Sequence, residues 1–299
     1  MDCMPKKLIW ILIAGFLLLT CVWGIYRFFQ TSSHPFYAIP RQIRYSFTVE
    51  NTSARPVENA SLKIYAPVKQ TAFQACETIE SSHPYELTTD CLGNQILHFP
   101  LRSMAPYASE IIRIQTSLRL SKTGVKTSDD KLHSGFLRPE PHVESRHPDI
   151  AARAAALKRS NALETAEAIY EWVAAHIEDC GYLPRERGAL YALTYKKGDC
   201  TEYMNLFTAL CRAAEIPCRR AGGFICEKNK VIKAAAYHNW AEICLDGKWR
   251  VIDPQNRIFM EKEGDYIAIQ IIGSQCPNPM LHHRRFRVEG QGIIAKMNS

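Results

Sequence analysis

The sequence predicts an α+β protein whose chain changes character twice. Three observations predict it. An uncharged run from Leu8 to Tyr26 follows Lys6 and Lys7. Apolar residues alternate with period two through the stretch from Arg41 to Leu120. From Asp149 onward the composition turns Ala-rich and helical, and an Asp246-Gly247 hairpin signal follows. The expected order is a membrane helix, a β-sandwich, and a core in which a helix packs on an antiparallel sheet. We set the boundaries at 1–30 for the cytoplasmic tip and anchor, 38–122 for the sandwich, 123–148 for a linker and 149–299 for the mixed core.

The run from Leu8 to Tyr26 is long enough to cross a bilayer. Trp10, Trp23 and Tyr26 sit near its ends, as interfacial aromatics do. Basic residues ahead of the run place the N-terminus in the cytoplasm and the rest of the chain outside, although Arg27 and Arg41 soften the asymmetry. A cleaved signal peptide is the competing reading, but no A-x-A-like site follows the run. Leu18-Leu19-Thr20-Cys21 is a poor approximation to a lipoprotein site. The expectation is a single-pass protein with everything after Arg27 extracytoplasmic, periplasmic or at the cell surface.

In the second segment Ile43, Tyr45, Phe47 and Val49 alternate, as do Leu62 and Ile64 before Pro67. Leu97, Phe99 and Leu101 follow the Gly93-Asn94 turn, and Ile112, Ile114, Leu118 and Leu120 share a face. Short strands between polar turns predict a small Ig-like sandwich. Residues 121–131 read as a polar linker, after which Phe136 to Pro141 packs or bridges.

Beyond Asp149, the stripe Ala162, Ala166, Ile169, Tyr170, Val173 and Ile177 predicts a helix whose apolar side is core. A second helix begins at Cys200. Gly198 turns the chain, Asp199 is a good N-cap, and Glu202 lies where a capping box needs it. Tyr203, Leu206, Phe207, Leu210, Cys211 and Ala214 then recur at helical spacing until Ile216-Pro217. The Cys200 thiolate thus faces unpaired N–H groups and the positive end of a helix dipole. The same N–H groups suit an oxyanion. Asp199 and Glu202 push the other way, so a nearby imidazole is needed to complete the activation.

The hairpin supplies that imidazole by register. A two-residue Asp246-Gly247 loop pairs Leu245 with Lys248, which sets Trp240 opposite Asp253. His238 then lies diagonally across from Asp253 on one face, with Cβ atoms roughly 7–8 Å apart or less. A slip of one residue would put the two side chains on opposite faces. Tyr266 to Ile272 predicts a further strand, and Phe286 with Val288 a last one.

These blocks, from about Leu163 to Phe259, resemble the transglutaminase-like superfamily of papain-like Cys-His-Asp proteins, of the bacterial membrane-anchored type. The matching runs are Gly198-Asp199-Cys200-Thr201-Glu202-Tyr203, Ala214-Glu215-Ile216-Pro217-Cys218-Arg219, His238-Asn239-Trp240-Ala241-Glu242, Asp246-Gly247-Lys248-Trp249 and Asp253-Pro254. Cys218 stands where relatives usually carry Ala. The resemblance implies Cys200 as nucleophile, His238 as general base and acid, and Asp253 as the residue that orients the ring. It implies attack on an amide or peptide carbonyl and a thioester resolved by water or by an amine. Some bacterial members also carry a β-domain before the core. The competing expectation is a membrane-tethered module that holds a peptide or an envelope polymer without catalysis.

The remaining features bound the reading. No cofactor is expected, and no C-x-x-C accompanies the His282-His283 pair, so neither is a metal site. The net charge of +7 is modest, and no nucleic-acid motif appears. His282 to Arg287 is the one basic cluster, read either as a solvated strand end or as attraction to an acidic polymer or membrane surface. Of eleven cysteines, setting aside Cys3, Cys21 and Cys200 leaves an even number. Cys76–Cys91, which flank a candidate hairpin, and, more weakly, Cys218–Cys226 are candidate bridges, against buried free thiols. Asn51 and Asn59 begin glycosylation triplets. Trp240 either shields the pocket or packs across the strands. Tyr191 and Tyr195 are candidate second oxyanion donors.

Overall fold

The computed structural model describes residues 36–126, 134–274, 280 and 285–298. Six strands come first: β1 (Ile39–Asn51), β2 (Val57–Ala66), β3 (Gln74–Ser81), β4 (Glu86–Thr89), β5 (Gln95–Met104) and β6 (Ser109–Leu120). Helices α1 (Pro148–Leu157) and α2 (Ala162–His176) follow, then β7 (Glu178–Asp179), α3 (Ala189–Tyr195), β8 (Lys197–Gly198) and α4 (Cys200–Ala213). The chain continues through β9 (Cys218–Ile225), β10 (Lys230–Val231), β11 (Tyr237–Leu245), β12 (Lys248–Asp253), β13 (Ile258–Phe259) and β14 (Tyr266–Ile272). It closes with β15 (Phe286–Glu289) and β16 (Ile293–Met297).

Two sheets face each other in the first half. One runs β10-β1-β6-β3, with β16 also paired to β1; the other runs β15-β2-β5-β4. The alternation read from the sequence is the packing between them. Ile43, Phe47, Val49, Leu62, Ile64, Leu97, Phe99, Ile112, Ile114, Leu118 and Leu120 are all buried in one cluster. Each such side chain contributes about 1.5–3 kcal/mol on leaving water. Strands β10, β15 and β16 reach these sheets from beyond the helices, and Phe224, Ile232, Ile267 and Ile269 join the same cluster. The sheet-on-sheet layer is therefore welded to the mixed core, and Phe286 and Val288 lie in the strand expected of them.

The mixed core is the sheet β13-β12-β11-β9-β14. Helix α4 covers one face, where Leu206, Phe207 and Leu210 meet Cys218, Ala241, Ile243 and Ile252. On the other face Trp240, Trp249, Val251 and Tyr266 pack with Phe73 and Phe136. Phe136 stands edge-on to Trp249 with ring centroids 5.5 Å apart, and its carbonyl accepts from Cys218 N at 3.1 Å. The strap expected to pack or bridge does both.

Three expectations are overturned. Cys76 is a free thiol on β3, which pairs with β6, whereas Cys91 follows β4, which pairs with β5 in the opposite sheet. Their segment is no hairpin, and Cys91 is disulfide-bonded elsewhere. Cys218 and Cys226 are also both free, near opposite ends of β9. Asn51 is unavailable for glycosylation. Its buried amide donates to the carbonyls of Arg55, Met104 and Ala105, and its oxygen accepts from Ser53. The expected anchor, Leu8 to Tyr26, lies outside the described residues, among which no helix is long and apolar enough to cross a membrane.

Candidate active site

Cys200 is the first residue of α4. The turn before it depends on glycine, since a Cβ on Gly198 would lie 2.2 Å from Glu202 Cβ. Asp199 caps the helix from an extended backbone, its Oδ1 accepting from Thr201 N at 2.8 Å and its Oδ2 from Leu183 N at 2.9 Å. Glu202 completes the capping box and accepts from Asp199 N and from Arg187 N. Burial, with Asp199 adding to it, pushes the Glu202 carboxyl up to about 7. Burial thus works against charge on one of the two acids that the sequence sets against the thiolate. Among the described residues Cys200 N–H meets no hydrogen-bond acceptor, which leaves it for an oxyanion.

His238 arrives from β11 and Asp253 from β12. The hairpin turn has positive φ at both Asp246 (51°) and Gly247 (74°), the conformation of a tight two-residue loop whose twist suits paired strands. Leu245 pairs with Lys248 and Ala241 with Ile252, the register the turn requires. His238 Nε2 lies 2.7 Å from Asp253 Oδ2. Its other nitrogen, Nδ1, is left for the thiol. Burial opposes charge on the His238 ring, but hydrogen bonds to Asp253 and to Cys200 outweigh it and raise the imidazole to about 9. Asp253 is held low: its burial is more than offset by His238, Asn256 and Tyr266. Sulfur, ring and carboxylate, scattered along the chain, therefore meet.

Several contributors were not read from the sequence. Asn256 Nδ2 and Tyr266 Oη each donate to Asp253 Oδ2 at 2.8 Å. Asn239 Nδ2 donates to Thr201 Oγ1 at 3.0 Å and sits 3.7 Å from Cys200 Sγ. Only its place beside His238 could have flagged Asn239. The reach of Tyr266 across the sheet has no local signature. Cys200 opens into a cleft of about 470 Å³ whose walls include Tyr182, Glu186, Arg220, Tyr237, Asn239 and Arg285. Tyr237 fits because Gly222 has no side chain, as a Cβ there would lie 2.1 Å from its hydroxyl.

One sequence expectation fails here, and one of two open readings is decided. Tyr191 and Tyr195 pack against each other at a tilt, with ring centroids 4.8 Å apart, and do not line the cleft, so neither is placed to supply an oxyanion donor. Trp240 is fully buried against Tyr266 and donates to Glu242, and it does not line the cleft either. Its role is cross-strand packing. Among the described residues no group of side chains is gathered to hold a metal ion.

Residues 149–254 match the family model of the transglutaminase-like superfamily. A solved structure of a proposed cysteine protease from Cytophaga hutchinsonii superposes with a TM-score of 0.59 at 15% identity, covering 87% of this chain and 90% of that one. The periplasmic domain of TgpA from Pseudomonas aeruginosa covers 70% of this chain and 87% of its own, with 14% identity and a TM-score of 0.41. No curated protein matches the chain.

Proposed function

We propose that this protein, whose residues 149–254 match the family model of the transglutaminase-like superfamily, is a thiol-dependent enzyme that cleaves or transfers amide acyl groups. The observation that carries the proposal is the His238–Asp253 hydrogen bond at 2.7 Å, with the Cys200 thiol near enough to the ring to favour its proton and itself opening on a cleft. The Cys200 thiolate attacks the carbonyl carbon, and the oxyanion that forms is held by Cys200 N–H. As the C–N bond breaks, His238 gives its proton to the departing amine. A thioester remains on Cys200. Water or a second amine then attacks it, His238 takes the proton, and the thiolate leaves. Asp253 holds the imidazole in the tautomer that presents Nδ1 to the sulfur. The anchor read at Leu8 to Tyr26 puts this chemistry on the outer face of a membrane, within reach of envelope proteins and polymers.

A peptide-like electrophile tests the proposal. It labels Cys200 ahead of the other thiols, and His238→Ala abolishes that preference. Equal labelling in both proteins would instead point to a tethered module that binds peptide or envelope polymer without turnover. A glutamine-containing peptide offered with a tagged primary amine then separates the two outcomes of the thioester. Incorporated tag means transfer, and ammonia or cleavage without tag means hydrolysis.

A further inference from the structure

The cleft beside Cys200 carries four charged walls, Glu186, Asp199, Arg220 and Arg285. Three of them are committed to the protein. Arg220 is buried and bonds Glu140 and Glu186. Glu186 also accepts from Asn205 at 2.7 Å. Asp199 spends its oxygens on Thr201 N and Leu183 N at the cap. Arg285 differs. Its guanidinium lies 4.7 Å over the Tyr237 ring and gives one N–H to the Ala234 carbonyl at 2.7 Å, and among the described residues it has no carboxylate partner. That leaves most of its donor fork open, on a side chain held in place by an aromatic face and a backbone carbonyl.

The neighbourhood is consistent. Tyr237 lines the same cleft and is close enough to feel both Arg285 and Cys200: the cation favours its ionised form and the thiol opposes it, while burial dominates. Arg285 immediately precedes β15, which pairs with β2 of the sandwich. The chain leaves the mixed core, returns to the sandwich, and on the way lays one cation against the wall of the cleft.

We propose that Arg285 forms an anion subsite of the cleft and that the substrate carries a carboxylate close to the amide that Cys200 attacks. The guanidinium fork matches a carboxylate in geometry, and the enclosed wall screens the pair less than open solvent does. The substrate class is an acidic peptide or an amidated amino acid with a free carboxylate one residue from the scissile bond. This rests on the reading of Cys200 as nucleophile only for where the carboxylate is wanted, and binding can be measured without turnover.

The test uses the full chain with Cys200→Ala and isosteric peptide pairs, titrated by calorimetry. One pair is acetyl-Glu-Gln-Ala-amide with acetyl-Gln-Gln-Ala-amide; the other is acetyl-Ala-Gln-Glu-amide with acetyl-Ala-Gln-Gln-amide. The acidic member of at least one pair binds about tenfold more tightly, the scale of one charge-assisted contact. Adding Arg285→Gln equalises the pair, and Arg285→Lys keeps part of the preference. Equal binding within both pairs, no binding of either acidic peptide, or a preference that survives Arg285→Gln overturns the proposal. The wild-type chain offered the preferred peptide reports separately on function. Binding with preference but no product would refute the enzymatic reading and leave the subsite standing.

Discussion

The Tyr266 hydroxyl donates to Asp253 Oδ2 at 2.8 Å although their strands, β14 and β12, are separated by β9 and β11. The ring reaches across by packing edge-on to Trp240, with centroids 5.1 Å apart. Three donors, from His238, Asn256 and Tyr266, thus converge on one carboxylate oxygen. Removing one weakens the grip on the acid that orients the imidazole. Tyr266→Phe keeps the ring and loses the hydroxyl. It is expected to cost about 1.5–3 kcal/mol in stability, as for a hydrogen bond to a charged group. Turnover on an amide should fall roughly tenfold with little change in KM, since Tyr266 does not touch the cleft. Unchanged turnover in single-turnover kinetics would show that His238 and Asn256 suffice.

Protonation of His238 gives a second expectation. Its pKa rises from 6.5 to about 9 on folding, so the folded state holds the proton more tightly than the unfolded chain does. The resulting stability is fully present below the unfolded value and is lost as pH rises through about 9. Urea unfolding of the wild type and of His238→Gln should therefore give a stability difference that narrows between pH 6.5 and 9 and then levels. The same ionisation acts on catalysis. Once the ring is neutral it has no proton for the leaving amine, so amide turnover falls above about 9 while alkylation of the thiolate continues. Parallel loss of both rates would place the limb elsewhere.

What the sequence disclosed follows how local each cause is. The cap at Asp199 and the hairpin at Asp246-Gly247 are each decided by a few neighbouring residues, and both stand where the residues put them. Sheet alternation from Ile43 to Leu120 was equally legible, because one buried face imposes period two. Membership of a sheet was not. Cys76 and Cys91 look like the ends of one hairpin, yet β3 and β4 go to opposite sheets because each finds its partner, β6 or β5, later in the chain. Tyr266 was missed for the same reason, since its partner lies across the sheet. Asn256 was missed although its partner is local: it follows Asp253 by three residues in one turn and bonds it through both backbone and side chain.

The exit from α4 carries a strain that can be relieved. Glu215 has φ of 63°, in the left-handed region where glycine is at ease, and the following Ile216 N bonds back to Cys211 O at 2.9 Å. A side chain there costs about 1 kcal/mol in backbone conformation. Among the described residues no ion pair or side-chain hydrogen bond compensates Glu215, which is exposed. Glu215→Gly should therefore stabilise the protein by a few tenths to about 1 kcal/mol, the gain trimmed by the entropy of glycine in the unfolded chain. Chemical denaturation measures it, and a loss of stability would mean that Glu215 serves a contact beyond the helix end.

Glu140 makes the opposite case, a substitution expected to be severe. It lies in the strap between the sandwich and α1, buried, with Oε1 bonded to Arg212 at 2.7 Å and Oε2 to Arg220 at 2.9 Å. Its Oε2 also accepts from Ser274 N at 3.0 Å. Two buried guanidinium groups thus share this carboxylate, and Arg220 alone has a second acid in Glu186. Glu140→Gln keeps the shape and removes the charge. Arg212 is then left as a buried cation without a counter-charge, and breaking a buried pair from one side costs about 3–5 kcal/mol. Because Arg220 also lines the cleft, loosening it should raise KM before it lowers kcat. Urea unfolding together with steady-state kinetics checks both halves. A loss below about 1 kcal/mol would mean that solvent reaches the cluster and screens it, as it does for an exposed pair.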